Sequence, residues 1–510
     1  MSVSPRRLGL VVLVALPWLW PFTSGPTAGV QPYLVSLACA ALLLALWPSG
    51  RDPQRVVDTV AAGWFTAALI SAVIALLQYF SLEGPLYPWV NSSANARAFG
   101  NLRQPNQLAT LLLIGLLALR ALEQRGWVGG RWAAWLGTLL LVALAATVSR
   151  IGLVELLAAA AVIAWWERGA RRASWRVGLA VLLYAVAALL LPLLAQWGAV
   201  PSGQDMVERL REGDSLCGSR VALWHNVLHL IALKPWTGWG WGELAWAHYV
   251  TLFPELRFCY ILDNAHNLPL HLAVTLGVPL ALAACAALAW LLWRGAPWRE
   301  PDPARQLAWG VLMVIGLHSA VEYPLWYGPF QIAALISVWL LWRTRAAAPA
   351  QARPAFAPGL RLGAAALLLA ATLYAGWDYW RISQVYLPPA QRTAWWRDDP
   401  MAAARQSWLF AGAVRFAEVT TRPVTRADAA WMLAAARQSL HYSPEPRVIT
   451  RVIEAASLLG RDDIALAQMA RFRAAFPADY RRWTQDNARL LQGLQHLQPA
   501  ASSASPAAAR

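Results

Sequence analysis

Residues 263–293 read DNAHNLPLHLAVTLGVPLALAACAALAWLLW, a polar turn from Asp263 to Asn267 that runs straight into about 25 apolar residues, Leu268 to Trp293. An uncharged run of that length matches a bilayer-crossing helix. The stretch therefore predicts a membrane protein and puts His266 at the mouth of a span. Asn267 can cap the helix, and Pro269 falls in the first turn, where its missing N–H had no partner. A histidine at a helix N-terminus meets the positive end of the dipole, which favours the neutral ring. A neutral imidazole can accept a proton near neutral pH. The same helix end suits an anion such as phosphate.

The whole chain agrees. Its 510 residues are 58% hydrophobic and 14% charged, with a mean hydropathy of +0.41, which is too apolar for a soluble protein. The net charge is +16, carried almost wholly by arginine, because Lys234 is the only lysine. Sorting the arginines by membrane side comes before any reading as nucleic-acid binding. Most of the 31 tryptophans, such as Trp18, Trp47, Trp132, Trp165 and Trp293, read as interfacial belt residues.

Apolar runs fall near 8–24, 31–48, 57–80, 107–122, 132–148, 151–167, 176–197, 267–293, 306–322, 328–343 and 359–378, which predicts about 11 (10–12) transmembrane helices. The first run follows Arg6-Arg7 and resembles a signal sequence; with ten more behind it, a retained anchor is expected. With a cytoplasmic N-terminus, arginines such as Arg6, Arg55, Arg125, Arg171, Arg294 and Arg343 fall inside. The short outside loops keep only Arg97, Arg103 and Arg150. This alternation places His266 and the long loop 196–266 on the outer side of a bacterial inner membrane. It also leaves the polar region after residue 378 outside. The chain divides accordingly into N-terminal spans (1–195), a large periplasmic loop (196–266), C-terminal spans (267–378), a periplasmic helical domain (379–496) and a disordered tail (497–510). In the helical domain, Ala427–His441 and Pro446–Phe476 read as helix pairs. Ala455-Ala456-Ser457-Leu458-Leu459-Gly460 has the small-residue spacing of a tetratricopeptide-like hairpin.

Arginines that stay outside against the prevailing bias are expensive and tend to be functional. Arg97 and Arg103 flank Ala98 to Asn101, and Gln104-Pro105-Asn106-Gln107 follows at a helix start. Ser149-Arg150-Ile151-Gly152 makes a tight turn between two runs. Arg220 precedes Trp224 and then Pro235-x-x-Gly238-x-Gly240. A guanidinium donates two parallel charged hydrogen bonds to phosphate, and fixed cations lower the barrier to pyrophosphate departure. His318 and Glu322 are four apart on one helix face, beside Tyr323-Pro324. They read either as a satisfied His–Glu pair or as a second site wall in which Tyr323 binds substrate. His225 and His229 are also four apart, but no third metal ligand is spaced nearby, so a helix along the membrane surface is the simpler reading. Cys217 and Cys259 share one polar stretch and can pair in an oxidising compartment. No nucleotide-binding fingerprint is present.

His266-Asn267, nine residues, then Gly277 is similar to the motif of the Wzy_C (O-antigen ligase) superfamily. The Ser149 to Gly152 turn, the Arg220 and Pro235 to Gly240 segments and Arg97 to Gln107 also resemble it, so the likeness spans roughly residues 90–345. Leu280 departs from the family's Gly, Thr or Tyr at that position. Gln104 to Gln107, Glu322-Tyr323-Pro324 and the extra outer domain look most like the PglL-type bacterial protein O-oligosaccharyltransferases. The resemblance implies a GT-C-like helical fold. It also implies en bloc transfer of a preassembled glycan from undecaprenyl pyrophosphate to Ser or Thr of a periplasmic protein such as a pilin, with no cofactor or metal. On that pattern His266, Tyr323, Gln104 and Gln107 are the catalytic group. Arg97, Arg103, Arg150 and Arg220, with Asn106, Asn267 and Glu322, hold the donor. The implied partners are the lipid-linked glycan, the acceptor protein and membrane lipids, without nucleic acid. The alternatives are an O-antigen ligase acting on lipid A core, a Wzy-type polymerase, and, in another class, a flippase for lipid-linked glycans. A flippase would carry ionisable groups near the bilayer midplane, whereas here Glu155 lies about one turn from Arg150.

Overall fold

A computed structural model describes residues 4–47, 53–93, 97–168, 171–197, 206, 216–344 and 358–488. The expected tail 497–510 lies outside these residues. The described chain is all helical, with no strand. The apolar runs form α1 (Pro5–Leu19), α2 (Val30–Leu46), α3 (Pro53–Tyr79), α4 (Pro105–Gln124), α5 (Gly130–Ala146), α6 (Arg150–Trp166) and α7 (Arg171–Trp197). The long loop contributes α8 (Arg220–Leu233) and α9 (Leu244–Val250). After it come α10 (Leu268–Leu276), α11 (Val278–Gly295), α12 (Pro303–Ser319), α13 (Gly328–Arg343) and α14 (Pro358–Ser383).

Five described helices are long and apolar enough to cross a membrane, namely Gln54–Tyr79, Pro105–Gln124, Trp175–Trp197, Val278–Arg299 and Pro358–Tyr386; Val30–Leu46 and Gly130–Ala146 are shorter apolar helices. A 17-residue helix such as α6 spans only about 25 Å, a little under the ~30 Å hydrocarbon thickness. The chain is a multi-pass membrane protein. The structure corrects one expected span. The run 267–293 is not a single helix but breaks at Gly277, whose φ is +92°, into α10 and α11.

The molecule divides into two compact units: Met1–Gly213 with His266–Pro269 and Ala283–Ser383, and Asp214–Ala265 with Leu270–Leu282 and Gln384–Arg510. In the first unit α4 is the central post, with Leu108, Leu111, Leu112 and Ile114 fully buried. Gly115 lets α3 close on it, because a Cβ there would lie 2.2 Å from Ala68 Cβ. At the end of the unit away from His266, arginines find acids or helix-end carbonyls: Arg120 binds Glu167, Arg125 pairs with Asp58, and Arg361 donates to the Trp47 carbonyl.

In the second unit Cys217 and Cys259 form a disulfide. Behind them Asn226 Oδ1 accepts from the Phe258 N–H at 2.8 Å and faces His248 Nε2 at 3.1 Å, while Arg257 faces His248 Nδ1 at 3.2 Å. The helices α15 (Pro400–Ala404), α16 (Ala411–Thr421), α17 (Ala429–Tyr442), α18 (Pro446–Leu458), α19 (Asp462–Ala475) and α20 (Pro477–Asp486) complete it. The 427–441 stretch is one helix rather than a pair. The hairpin is α18–α19, turned at Gly460 with φ +67°. Val448, Ile449, Val452 and Ile453 line one buried face of α18, and Tyr249 donates to Gln468 across this core at 2.6 Å.

Candidate functional site

The site gathers at one end of the first unit, where α4, α6 and α12 have their loop ends. Gln104 is the N-cap of α4: its Oε1 accepts from the Gln107 N–H at 2.6 Å, while Pro105 occupies the first turn. Ser149 caps α6, accepting from the Gly152 N–H at 3.1 Å and donating to Asn106 Oδ1 at 2.7 Å. The two motifs thus touch directly. Gly152 makes that approach feasible, since a Cβ there would stand 2.7 Å from Ala109 Cβ. Arg150 is the first residue of α6.

The loop carrying Arg97 to Arg103 is held from below by Gln78. This buried amide accepts from the N–H groups of Phe99 (3.1 Å) and Gly100 (2.8 Å) and donates to the carbonyls of Asn91 and Gly100. Asn101 ties the same loop to the carbonyls of Leu19 and Trp89. Sequence reasoning named Asn101 only as part of the loop and missed Gln78, because an amide in an apolar helix does not announce which backbone it serves. Arg103 adopts a left-handed backbone and donates to the Pro21 carbonyl at 3.0 Å. Burial pushes its guanidinium down from the ordinary value, an effect opposed by Tyr327. Part of its role is therefore to hold the loop.

His266 occupies a left-handed backbone conformation (φ +49°), costly for a residue with a Cβ. Its Nδ1 lies 2.7 Å from Glu322 Oε2, and its ring meets Tyr323 edge-on with centroids 4.8 Å apart. Asn267 Nδ2 donates to the Ala320 carbonyl at 2.9 Å, clamping this turn to the end of α12. Of the two readings of this segment, the His318–Glu322 pair does not form. The helix α12 ends at Ser319, so Glu322 leaves the helical face and turns to His266. His318 instead places Nδ1 2.8 Å from Thr110 Oγ1, which also lies 2.9 Å from Glu155.

A small cleft of about 20 Å³ opens beside these groups, lined by Gln104, Gln107, His318, Glu322, Tyr323, Pro324 and Tyr327. That is far below the ~300–1,000 Å³ of a typical small-molecule pocket and close to the room one water-sized group takes, so it suits a single functional group rather than a whole sugar chain. Gln104, Gln107, His266, Glu322 and Tyr323 thus come together. Asn106 and Arg150 stand at the adjoining helix starts.

Arg220 and Gly277 belong to the second unit. Ser219 caps α8, and Arg220 is its first residue. Gly277 serves packing. A Cβ on it would lie 2.2 Å from the Trp236 carbonyl oxygen, and one on Gly238 would lie 2.5 Å from the Thr275 carbonyl. This close approach lets Trp239 N–H reach the Val274 carbonyl, Gly240 N–H the Thr275 carbonyl, and Val278 N–H the Pro235 carbonyl. The Pro235-x-x-Gly238-x-Gly240 segment is therefore the seat of the helix break. Among the described residues no group of three or more His, Cys, Asp or Glu is placed to hold a metal.

Comparison with known proteins covers this geometry in three blocks. Residues 98–122 match the family described as protein glycosylation ligase, residues 135–285 the O-antigen ligase family, and residues 306–491 the C-terminal region of the virulence factor membrane-bound polymerases. The first block contains Arg103, Gln104 and Gln107, the second Arg150, Arg220, His266 and Gly277, and the third Glu322 and Tyr323. A general O-oligosaccharyltransferase of Acinetobacter baylyi is 26% identical over 349 residues, which is 64% of this chain and 60% of that protein. The chain thus spans about three fifths of the length of this curated relative. The resemblance to O-antigen ligases and PglL-like enzymes read from the motifs is shown by these matches.

Proposed function

We propose that this chain is a glycosyltransferase that moves a preassembled glycan en bloc from undecaprenyl pyrophosphate to a Ser or Thr hydroxyl of a periplasmic protein such as a pilin. One observation carries the reading. A histidine oriented by a carboxylate, His266 with Glu322, stands against Tyr323, and Glu322 and Tyr323 line a cleft with Gln104 and Gln107; the segments match glycosylation-ligase, O-antigen-ligase and membrane-bound-polymerase families. Base plus orienting acid is the arrangement that activates a hydroxyl nucleophile.

In the proposed reaction Glu322 holds Nδ1 and Nε2 meets the acceptor. The acceptor hydroxyl gives its proton to Nε2, and its oxygen bonds to the anomeric carbon. The bond from that carbon to the pyrophosphate oxygen breaks, and its electron pair leaves on the phosphate, inverting the carbon. Arg150, with Arg97 or Arg103, neutralises the departing charge. The N-termini of α4 and α6 add to that field. Tyr323, Gln104 and Gln107 position the substrates. The reaction needs no metal or cofactor on this scheme, and it takes place on the periplasmic side of the inner membrane.

Co-expression with a lipid-linked glycan and a candidate pilin tests the reading. A mass shift of the pilin supports it. A shift of lipid A core instead indicates an O-antigen ligase. A His266→Ala protein that inserts normally and keeps full transfer sinks the role of His266.

A further inference from the structure

His318 is buried, with 1% of its surface exposed, and its Nε2 has no hydrogen-bond partner among the described residues. The same holds for Oε1 of Gln107, which is 3% exposed. Both residues line the same cleft. A buried polar atom without a partner is destabilising, so two around one small space call for an explanation.

The ring of His318 is not loose. Thr110 Oγ1 holds Nδ1 at 2.8 Å, and fully buried Glu155 holds that hydroxyl with both oxygens, at 2.9 and 3.0 Å. Nothing in the binding of a pyrophosphate uses this carboxylate. Its position behind the ring points Nε2 in a fixed direction.

The chemistry of the two atoms selects their ligand. An amide oxygen only accepts, so whatever fills this end of the cleft must donate a proton. An ionised phosphate oxygen only accepts and would leave Oε1 unsatisfied. None of the seven lining residues is an arginine or lysine that would hold a phosphate. When Glu155 is protonated and donates to Thr110, Thr110 donates to Nδ1 and Nε2 carries the ring hydrogen; an alcohol then satisfies both atoms, accepting from Nε2 and donating to Oε1. The cleft volume fits a group of that size.

We propose that His318 Nε2 and Gln107 Oε1 form a hydroxyl-binding subsite, with Thr110 and Glu155 as positioning residues behind the imidazole. The hydroxyl comes from the acceptor or from a sugar of the donor glycan. This rests on the glycan-transfer reading above.

The test uses the full-length protein in lipid, with a lipid-linked glycan and a Ser-containing acceptor peptide, measuring KM for each substrate and kcat. His318→Phe is expected to lower kcat/KM for one substrate by roughly 10-fold or more, His318→Gln to restore part of it, and Thr110→Val to raise the same KM about 3-fold. A raised acceptor KM assigns the hydroxyl to the acceptor, and a raised donor KM assigns it to the glycan. A His318→Phe protein within twofold of wild type overturns the subsite. So does a fall in kcat alone without rescue by Gln, which marks a merely structural histidine. Gln107→Met supplies a readout that does not depend on turnover. Removing an orphaned acceptor should leave the melting temperature unchanged or higher, and a clear drop overturns the proposal. If the wild type transfers no glycan to any acceptor, the reaction as read here fails, and that melting result alone decides the subsite.

Discussion

Glu322 Oε2 stands 2.7 Å from His266 Nδ1 across 56 residues of sequence. The contact exists because α12 stops at Ser319 and the following turn swings the carboxylate away from His318. Glu322→Ala removes the group that orients the ring but keeps the imidazole. Transfer should fall by roughly 10²-fold, against about 10²–10⁴-fold for His266→Ala. Initial rates of glycan transfer in lipid measure both. If the two substitutions act through one unit, the double variant is no slower than His266→Ala.

Gly277 and Gly238 meet opposite sides of one backbone contact in the second unit, each with a positive φ. Gly277→Ala is expected to cost about 2–4 kcal/mol, from left-handed strain plus the clash with the Trp236 carbonyl. The same change at Gly238 should cost a similar amount. The double variant should cost less than the sum, because the first substitution already opens the contact. Thermal unfolding in detergent reads all three.

His248 lies buried between Asn226 and Arg257. Burial first, and the Arg257 charge second, hold its imidazole well below the usual histidine range. Burial brings Arg257 down to about 10, so it stays charged at neutral pH. Above the ordinary histidine value of about 6.5 the ring is neutral folded or unfolded, and the full stability is present. Below it the unfolded chain takes up a proton that the folded one refuses. Stability then falls by about 1.4 kcal/mol per pH unit towards the folded value. Hydrogen exchange of α8 and α9 between pH 5 and 8 should show this loss, and His248→Gln should flatten it.

The disulfide between Cys217 and Cys259 closes a loop of 42 residues, which corresponds to about 4 kcal/mol in the chain-entropy view. A Cys217→Ser/Cys259→Ser protein should therefore melt at lower temperature and be cleaved sooner by protease within residues 216–262. Alkylation of the reduced and unreduced wild type, followed by mass spectrometry, reports the bond directly.

The apolar runs determined by themselves that this is an all-helical, multi-pass membrane chain, because a bilayer demands long uncharged stretches whatever their packing. The motif residues Gln104 to Gln107, Ser149 to Gly152 and His266 were legible for a local reason: caps and tight turns are written in a few adjacent residues. The helix break at Gly277 was not, since a glycine inside an apolar run reads alike whether it packs or bends. Only its clash with the Trp236 carbonyl decides. The partner of Glu322 was not legible for a related reason. Helical spacing pairs it with His318, but the spacing rule lapses where the helix ends. His318, Thr110 and Glu155 come from three separate helices, 45 and 208 residues apart along the chain. Such a cluster has no local signature, because burial and hydrogen bonding between distant segments exist only once the helices have packed.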